Sequence, residues 1–500
     1  MTFLRVAVLA ASLLAPLPLA YAESPAPAHS PSLEDQLAPL TTDRLFRDAK
    51  VSVQVVDVRT GEEVFARNAD RPLNPASTMK VLTTAAALHT LGPSYRFTTA
   101  LYVDGEIDDS GVVQGDLYVK GHGDPTLVVE RLWKLVYDLK LEGVERVSGD
   151  VVYDESFFAT DYALPGWDKK EDLERGPAYF PALSALSLNF NTVALVVGPG
   201  SEVGAPGTVR LETPADSYVT VVNEVVTGSA SSWRSLEIER EVTGPTMQFT
   251  VAGAMPLGGG TRKFYRSVAE PTSHFAAAFQ QMMEAHEIQV GGRHRRGQVP
   301  ESASLVHSLR SPPLAAILMD MNKYSNNFMA EQVLRAMGAE VHGVPGTTAK
   351  GLQVIGDYLV SIGVEGNAFT LINGSGLSRD AWVAPSTLTA VMVDMAHDPR
   401  AGHEFVSSLA IAGQDGTLYS RLAEEPGRTR GKTGTIDGIH CLTAYVEGGD
   451  GVLYAFAFLV NDVRGSLGKV KRLQDRLVGV LYELDVEASE VVDPGEVNDP

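Results

Sequence analysis

The stretch Pro75-Ala76-Ser77-Thr78-Met79-Lys80 decides how this chain is read, because a serine and a lysine three residues apart open a helical run. Met79, Leu82, Ala85, Ala86 and Leu88 recur at helical spacing until Gly92-Pro93 ends them. Upstream, Val51 to Val56 and Glu63 to Arg67 are apolar-rich runs joined through Arg59-Thr60-Gly61-Glu62, a hairpin turned at a glycine, and Pro75 breaks the strand pattern. Ser77 is therefore expected where strand passes into a buried helix. Residues i and i+3 share a helix face, so Lys80 reaches the Ser77 hydroxyl, and a helix N-terminus favours negative charge there. A hydroxyl with an amine beside it is a nucleophile with its base. Ser466-Leu467-Gly468-Lys469 fits the same pattern, but Gly468 weakens its first turn and Lys469, Lys471 and Arg472 read as surface charges on a solvated helix.

Two further elements answer the first. Lys432-Thr433-Gly434 begins a strand, since Leu442 to Val446 and Val452 to Val460 are separated by the hairpin signal Gly448-Gly449-Asp450-Gly451. On that strand Lys432 and Thr433 can bind a carboxylate, and Gly434 lets a substrate backbone approach closely. A Ser-x-Asn element is expected between the other two. Ser187-Leu188-Asn189 leads into a strand-like run, whereas Ser325-Asn326-Asn327 interrupts a helical pattern of Leu314, Ile317, Leu318, Met321 and then Phe328, Met329, Val333, Leu334. Ser325 is chosen, because a hydroxyl and an amide at a break between helices can both point into one cleft.

Other chemistries are excluded in turn. The eleven histidines form no His-Glu-x-x-His or His-x-His, so no metal site is expected. No Gly-x-Ser-x-Gly elbow surrounds a serine. Gly374-Ser375-Gly376-Leu377-Ser378-Arg379 reads instead as a loop held close to a ligand. The net charge of −21, with no dense lysine and arginine cluster along the chain, argues against nucleic acid. The one cysteine, Cys441, excludes an intrachain disulfide and reads as a buried small apolar side chain.

Arg5, the apolar run Val6 to Ala20 and Ala20-Tyr21-Ala22 make residues 1–22 a signal peptide. Cleavage leaves 500 − 22 = 478 residues, three units at about 150 per domain. Residues 23–31 are a Pro, Ala and Ser tether and 485–500 an acidic tail, both expected to be disordered. No other stretch suits a bilayer span and no basic anchor helix is present, so the expected location is periplasmic, soluble or loosely membrane-associated.

Taken together, Ser77-Thr78-Met79-Lys80, Ser325-Asn326-Asn327 and Lys432-Thr433-Gly434 resemble the three motifs of penicillin-binding proteins and serine β-lactamases. From Lys80 to Ser325 is 325 − 80 = 245 residues, so a large insertion follows the nucleophile helix. That insertion resembles the one in class C low-molecular-mass penicillin-binding proteins, the D-alanyl-D-alanine carboxypeptidase and endopeptidase family. Lys120 to Leu127, Gly149 to Phe157, Ser184 to Asn189, Gly374 to Arg379 and Gly413 to Leu418 are similar too. His122, Asn373 and the pair His440-Cys441 depart from the family pattern, the last narrowing the cleft near Ile439 to Thr443.

The resemblance implies an α/β (α+β) fold: a penicillin-binding, serine β-lactamase-like catalytic domain, an antiparallel sheet flanked by helices, built from residues 32–92 and 268–484. β-rich accessory modules would occupy residues 93–267. It implies a serine D-Ala-D-Ala carboxypeptidase acting on peptidoglycan stem peptides, a DD-endopeptidase on cross-links, and covalent inhibition by β-lactams, with no cofactor. Ser77 would attack, Lys80 would be the base, Ser325 would pass the proton on, and Asn327 would hold the acyl chain. Lys432 and Thr433 would grip the terminal carboxylate, with Gly434, Arg379 and the oxyanion-hole N–H groups of Ser77 and Thr435 nearby. Asp172 matches a carboxylate that recognises the amino end of a diaminopimelate side chain. The alternatives are a β-lactamase, against which no glutamate sits in a recognisable loop between the second and third motifs, and a non-catalytic wall-binding protein.

Overall fold

The computed structural model describes residues 32–484 apart from 164, 167–175 and 245. The expected signal peptide, tether and tail, and Asp172, lie outside the described residues.

The two halves of the catalytic sheet come from opposite ends of the chain. Its six strands run in the order Ala410–Ile411, Thr429–Ile436, Ile439–Glu447, Leu453–Asn461, Lys50–Asp57, Glu63–Arg67, and every neighbouring pair is antiparallel. Lys50–Asp57 pairs with Leu453–Asn461 in one unbroken register from Lys50 opposite Asn461 to Asp57 opposite Tyr454. Ile439–Glu447 and Leu453–Asn461 are buried almost from end to end, as strands covered on both faces must be. One cover is the helix pair Leu33–Thr41 and Leu467–Tyr482, packed with Leu37, Leu40, Phe46, Leu477 and Leu481 against Val53, Val55 and Phe458. The other is an all-helical layer containing Met79–Leu91, Leu314–Lys323, Asn327–His342, Thr348–Ser361 and Pro385–His397.

Helix Met79–Leu91 is buried continuously from Met79 to Leu88, which marks a central rather than a surface helix. Ala85, Ala86 and Ala87 keep it slim enough for the surrounding helices, and Gly92 ends it with φ +78°. That left-handed stop is the position glycine serves without penalty.

The inserted part holds three larger sheets. Five strands run His294–Arg296, Val151–Asp154, Leu117–Gly121, Thr98–Val103, Ser304–Arg310, with helices Val129–Leu141 and Pro271–Ala285 in the same core. Two three-stranded sheets, Val219–Gly228 with Thr246–Pro256 and Ser235–Thr243, and Arg262–Ser267 with Thr192–Gly198 and Thr208–Leu211, share a second core around Val193, Leu195 and Phe249. Strand pairing therefore carries the insertion to Arg310, beyond the boundary at residue 268 expected from sequence, because Ser304–Arg310 finds its partner in Thr98–Val103. The first module is also mixed rather than β-rich: Leu132, Leu135, Val136 and Leu139 form a helix stripe that covers the sheet. Among the described residues no helix is long and apolar enough to cross a membrane.

Candidate active site

The turn that carries Ser77 is held by its neighbours on three sides. Ser77 lies in the 3₁₀ turn Ala76–Thr78, directly before helix Met79–Leu91. Ala76 before it has φ +45°, a conformation that costs a non-glycine residue of order 1 kcal/mol and survives only where the surroundings enforce it. Buried Asn74 does the enforcing. Its Oδ1 accepts from Ala76 N at 2.9 Å, its Nδ2 donates to Ser378 O at 2.7 Å, and its backbone exchanges hydrogen bonds with the Asn461 side chain. Gly434 and Gly376 press against the same turn: a Cβ on Gly434 would lie 2.7 Å from Pro75 O, and one on Gly376 1.9 Å from Ala76 O. Within the chain itself, the close approach that Gly434 permits is to the turn that carries Ser77.

Three elements converge on this turn. Lys80 Nζ donates to Ser77 Oγ at 3.1 Å, to Asn327 Oδ1 at 2.8 Å and to Ser375 O at 2.8 Å. Ser325, with φ +56°, occupies the break between helices Leu314–Lys323 and Asn327–His342, where Asn326 caps the second helix by accepting from Met329 N. Asn327 is that helix's first residue, and its Nδ2 donates to Tyr179 O at 3.2 Å. On strand Thr429–Ile436 the alternation of sides buries Lys432 and Gly434 and leaves Thr433 and Thr435 less covered. Lys432 Nζ donates to Ser325 Oγ at 2.9 Å and to Thr433 O at 2.8 Å, while Thr433 Oγ1 donates to Thr417 Oγ1 at 2.8 Å. The rejected Ser187 is buried elsewhere, bonded to Ser184 O and Asn191.

The electrostatics follow from burial. Desolvation brings the Lys80 amine from its ordinary 10.5 down to about 7, against the buried Glu331 carboxylate, which raises it. Lys432 is pushed well below its ordinary value by burial first and by the charge of Lys80 second. Glu331 is raised by burial, although it accepts from Ser375 N at 2.7 Å and Gly374 N at 3.1 Å. These carboxylate bonds hold the Gly374-Ser375-Gly376 loop so that Ser375 O can receive Lys80.

Two openings meet at Ser77. A cleft of about 640 Å³ is lined by Ser77, Ser325, Asn327, Tyr179, Arg379 and Thr435, among others. A side hollow of about 340 Å³ adds Thr417, Thr433, His440, Cys441 and Lys471. Arg379 stands at the rim, its Nη1 3.4 Å from Asp437 O. His440 and Cys441 border the side hollow, as their position after the third motif suggested; Cys441 is 2% exposed and its Sγ donates to Asn74 O. Lys432 lines neither opening and is fully buried, so its amine serves Ser325 from beneath, while Thr433, Thr435 and Thr417 line the space. Sequence reasoning missed Glu331, Thr417 and Asn74. Glu331 was accessible in principle, four residues after Asn327 on one helix face; Thr417 lies in the family-like run Gly413 to Leu418, which gave it no role, and Asn74 carries no such signal.

Residues 33–483 match the family model described as the D-Ala-D-Ala carboxypeptidase 3 (S13) family. The chain is 33% identical over 449 residues to the D-alanyl-D-alanine carboxypeptidase of Actinomadura sp. (strain R39), covering 87% of this chain and 81% of that one. It is 26% identical to the D-alanyl-D-alanine carboxypeptidase DacB of Haemophilus influenzae, over 84% of this chain and 87% of that one. The crystal structure of penicillin binding protein 4 from the same organism superposes with a TM-score of 0.78 at 24% identity, covering 90% of this chain and 99% of the other, which establishes the shared fold.

Proposed function

Because the chain belongs to the D-Ala-D-Ala carboxypeptidase 3 (S13) family, whose members are serine peptidases that remove a terminal D-alanine, we propose that Ser77 is its nucleophile and Lys80 its base. The observation that carries this is the 3.1 Å contact between Lys80 Nζ and Ser77 Oγ, made by an amine that burial has brought to about 7. Neutral Lys80 takes the hydroxyl proton as Ser77 Oγ bonds to the carbonyl carbon of the penultimate D-alanine. The proton held on Lys80 passes through the Ser325 hydroxyl, which rests on Lys432 Nζ, to the amide nitrogen as the C–N bond breaks, and Lys80 is neutral again. Water then releases the acyl group. Asn327 orients Lys80 through Oδ1 and offers its amide to the acyl chain. The threonine hydroxyls take the terminal carboxylate, in place of the direct Lys432 grip expected from sequence. Backbone N–H groups of Ser77 and Thr435, both in the cleft wall, form the oxyanion hole, a contribution of about 3 to 4 kcal/mol in such enzymes.

A cleft this open, with aromatic Tyr179 and Phe180 along it, also supports DD-endopeptidase action on cross-linked stems and acylation by β-lactams. Gly166 and Tyr179, on either side of the segment carrying Asp172, line the cleft, which supports Asp172 as a recogniser of a diaminopimelate amino group. The leader-like first 22 residues support export to the periplasm. The β-lactamase reading weakens because Glu331, the glutamate nearest the right place, spends both carboxylate oxygens on the Gly374 and Ser375 N–H groups.

The test is labelling by a fluorescent penicillin. Covalent one-to-one labelling that survives for many minutes, and that Ser77→Ala abolishes, is expected, together with release of free D-alanine from disaccharide pentapeptide. Labelling of Ser77→Ala would move the nucleophile elsewhere; rapid loss of label from the wild type would revive the β-lactamase reading.

A further inference from the structure

A second cleft flanks the C-terminal helix Leu467–Tyr482. It measures about 650 Å³, and its wall contains Arg44, Arg47, Arg464, Lys469, Arg472 and Arg476 but only two acids, Asp43 and Asp48. Lysine and arginine make up 41 of the 500 residues, yet six of the eleven around this cleft, in a chain of net charge −21. Such an accumulation is not needed to hold the fold. All six cations are exposed, and none has an ion-pair or side-chain hydrogen-bond partner among the described residues. Asp43 is already engaged, its side chain accepting from Leu45 N at 2.8 Å.

No cation-dense run in the sequence announces this site, because the fold makes it. Arg47 and Arg464 are 464 − 47 = 417 residues apart, and come together where helix Leu33–Thr41 and the turn Arg44–Phe46 pack on helix Leu467–Tyr482. Helix geometry then ties the site to the nucleophile. Lys469, Arg472, Leu473 and Arg476 share one face, at i, i+3, i+4 and i+7. Leu467, Lys471 and Gln474 lie on roughly the opposite face and line the hollow that contains Ser77, Ser325 and Thr433. A helix with its side chains is about 10–12 Å across, so one helix separates the basic cleft from the catalytic one.

We propose that the basic cleft is an exosite for the polymeric substrate, holding a neighbouring carboxylate-bearing stem of the same wall polymer while another stem occupies the Ser77 cleft. The inference rests on the reading of that cleft as a peptidoglycan site. A polymer of stem peptides with free carboxylates is a polyanion, and five of the six cations are arginines, whose planar forks pair bidentately with carboxylates. The rest of the acidic surface repels such a polymer, so this cleft also fixes the side from which it approaches. One exposed pair contributes little; several on one tethered ligand add up. The wall is concave and exposes no large apolar side chain, which suits a charged chain better than a bilayer surface.

The test compares one soluble and one polymeric substrate. Purified wall sacculi freed of attached anionic polymers are pelleted with wild type, with Arg47→Glu/Arg472→Glu and with Arg47→Ala/Arg472→Ala. The charge-reversal variant is expected to co-sediment roughly tenfold less at low salt, the alanine variant severalfold less, and wild-type binding to fall as salt screens the array. Amidating the sacculus carboxylates should abolish the difference. Penicillin labelling and hydrolysis of disaccharide pentapeptide should stay within about twofold of wild type, which also reports an intact fold. Unchanged co-sedimentation, an equal loss on the soluble substrate, or binding to anionic lipid vesicles without binding to sacculi would each overturn the exosite. Failure of the Ser77 reading would register separately, as absent penicillin labelling.

Discussion

Two regions of this molecule bury charge and treat it in opposite ways. At the ends of the five-stranded accessory sheet each buried carboxylate meets a cation: Asp124 has Arg131 at 2.7 Å, Asp154 has Lys120 at 3.5 Å, and Glu155 has Arg296 at 3.4 Å along with the hydroxyls of Ser184 and Tyr162. In the catalytic cleft Lys80 and Lys432 are buried more completely, yet their amines donate only to neutral oxygens. A buried ion with a counter-ion braces the fold. A buried amine that touches only neutral oxygens, and whose desolvation outweighs the pull of a carboxylate farther off, as for Lys80 with Glu331, sheds its proton toward neutral pH and can act as a base.

The contrast breaks most directly at Lys80. Lys80→Met is expected to slow acylation by penicillin about 10²- to 10⁴-fold, and the wild-type rate should climb with pH through about 7, as Lys80 loses its proton. Stopped-flow acylation against pH checks both; a wild-type profile flat from pH 6 to 8 would remove Lys80 as the base.

Stability should then move in opposite directions in the two regions. The folded Lys80 value of about 7 lies below its ordinary 10.5, so between those values the unfolded chain holds a proton that the native chain lacks, and native stability rises with pH across that window. Lys80→Met should therefore be more stable than wild type at pH 7, and lose about 2 to 3 kcal/mol of that advantage by pH 9. Arg131→Met, which strands buried Asp124, should instead cost about 2 kcal/mol at both pH values and leave acylation per folded molecule unchanged. Denaturant titrations at the two pH values decide it, and parallel behaviour of the two variants would erase the distinction.

Smaller effects sharpen the picture. Lys432→Ala removes the donor to Ser325 and should slow acylation by about 1.5 to 2 kcal/mol, with a carboxylate-bearing peptide and its amide analogue affected alike. A loss confined to the carboxylate substrate would return Lys432 to the role of anion grip. Arg379→Ala at the exposed rim should change either rate by less than about 0.5 kcal/mol.

Local pattern carried much of this into view. The hairpin around Gly61, the helix ending at Gly92, the helix break at Ser325 and the strands around Gly448 to Gly451 all appear where residue periodicity placed them. Each is set by neighbours in sequence. What stayed hidden depends on partners far along the chain: the strand Ser304–Arg310 belongs to the insertion only because of Thr98–Val103, and Asn74 matters only because Asn461 and Ser378 reach it. Lys432 shows the same limit. Its motif named the residue, but the direction of its amine was decided by where Ser325 lies.

The pairing of Lys50–Asp57 with Leu453–Asn461 sets a timetable for the living cell. During synthesis the early hairpin and the helix after Ser77 emerge first, and must wait for 453 − 91 = 362 further residues, about seven-tenths of the chain, before the strand that seats them arrives. Long-range pairing of this kind forms slowly and leaves apolar edges uncovered in the meantime. A chain that stops early therefore carries Ser77 and Lys80 but lacks the strand against which the Lys50–Asp57 hairpin is seated. The seam between the first strand and the last thus joins the two ends of the chain, so the sheet beside Ser77 is complete only when its final strand is in place.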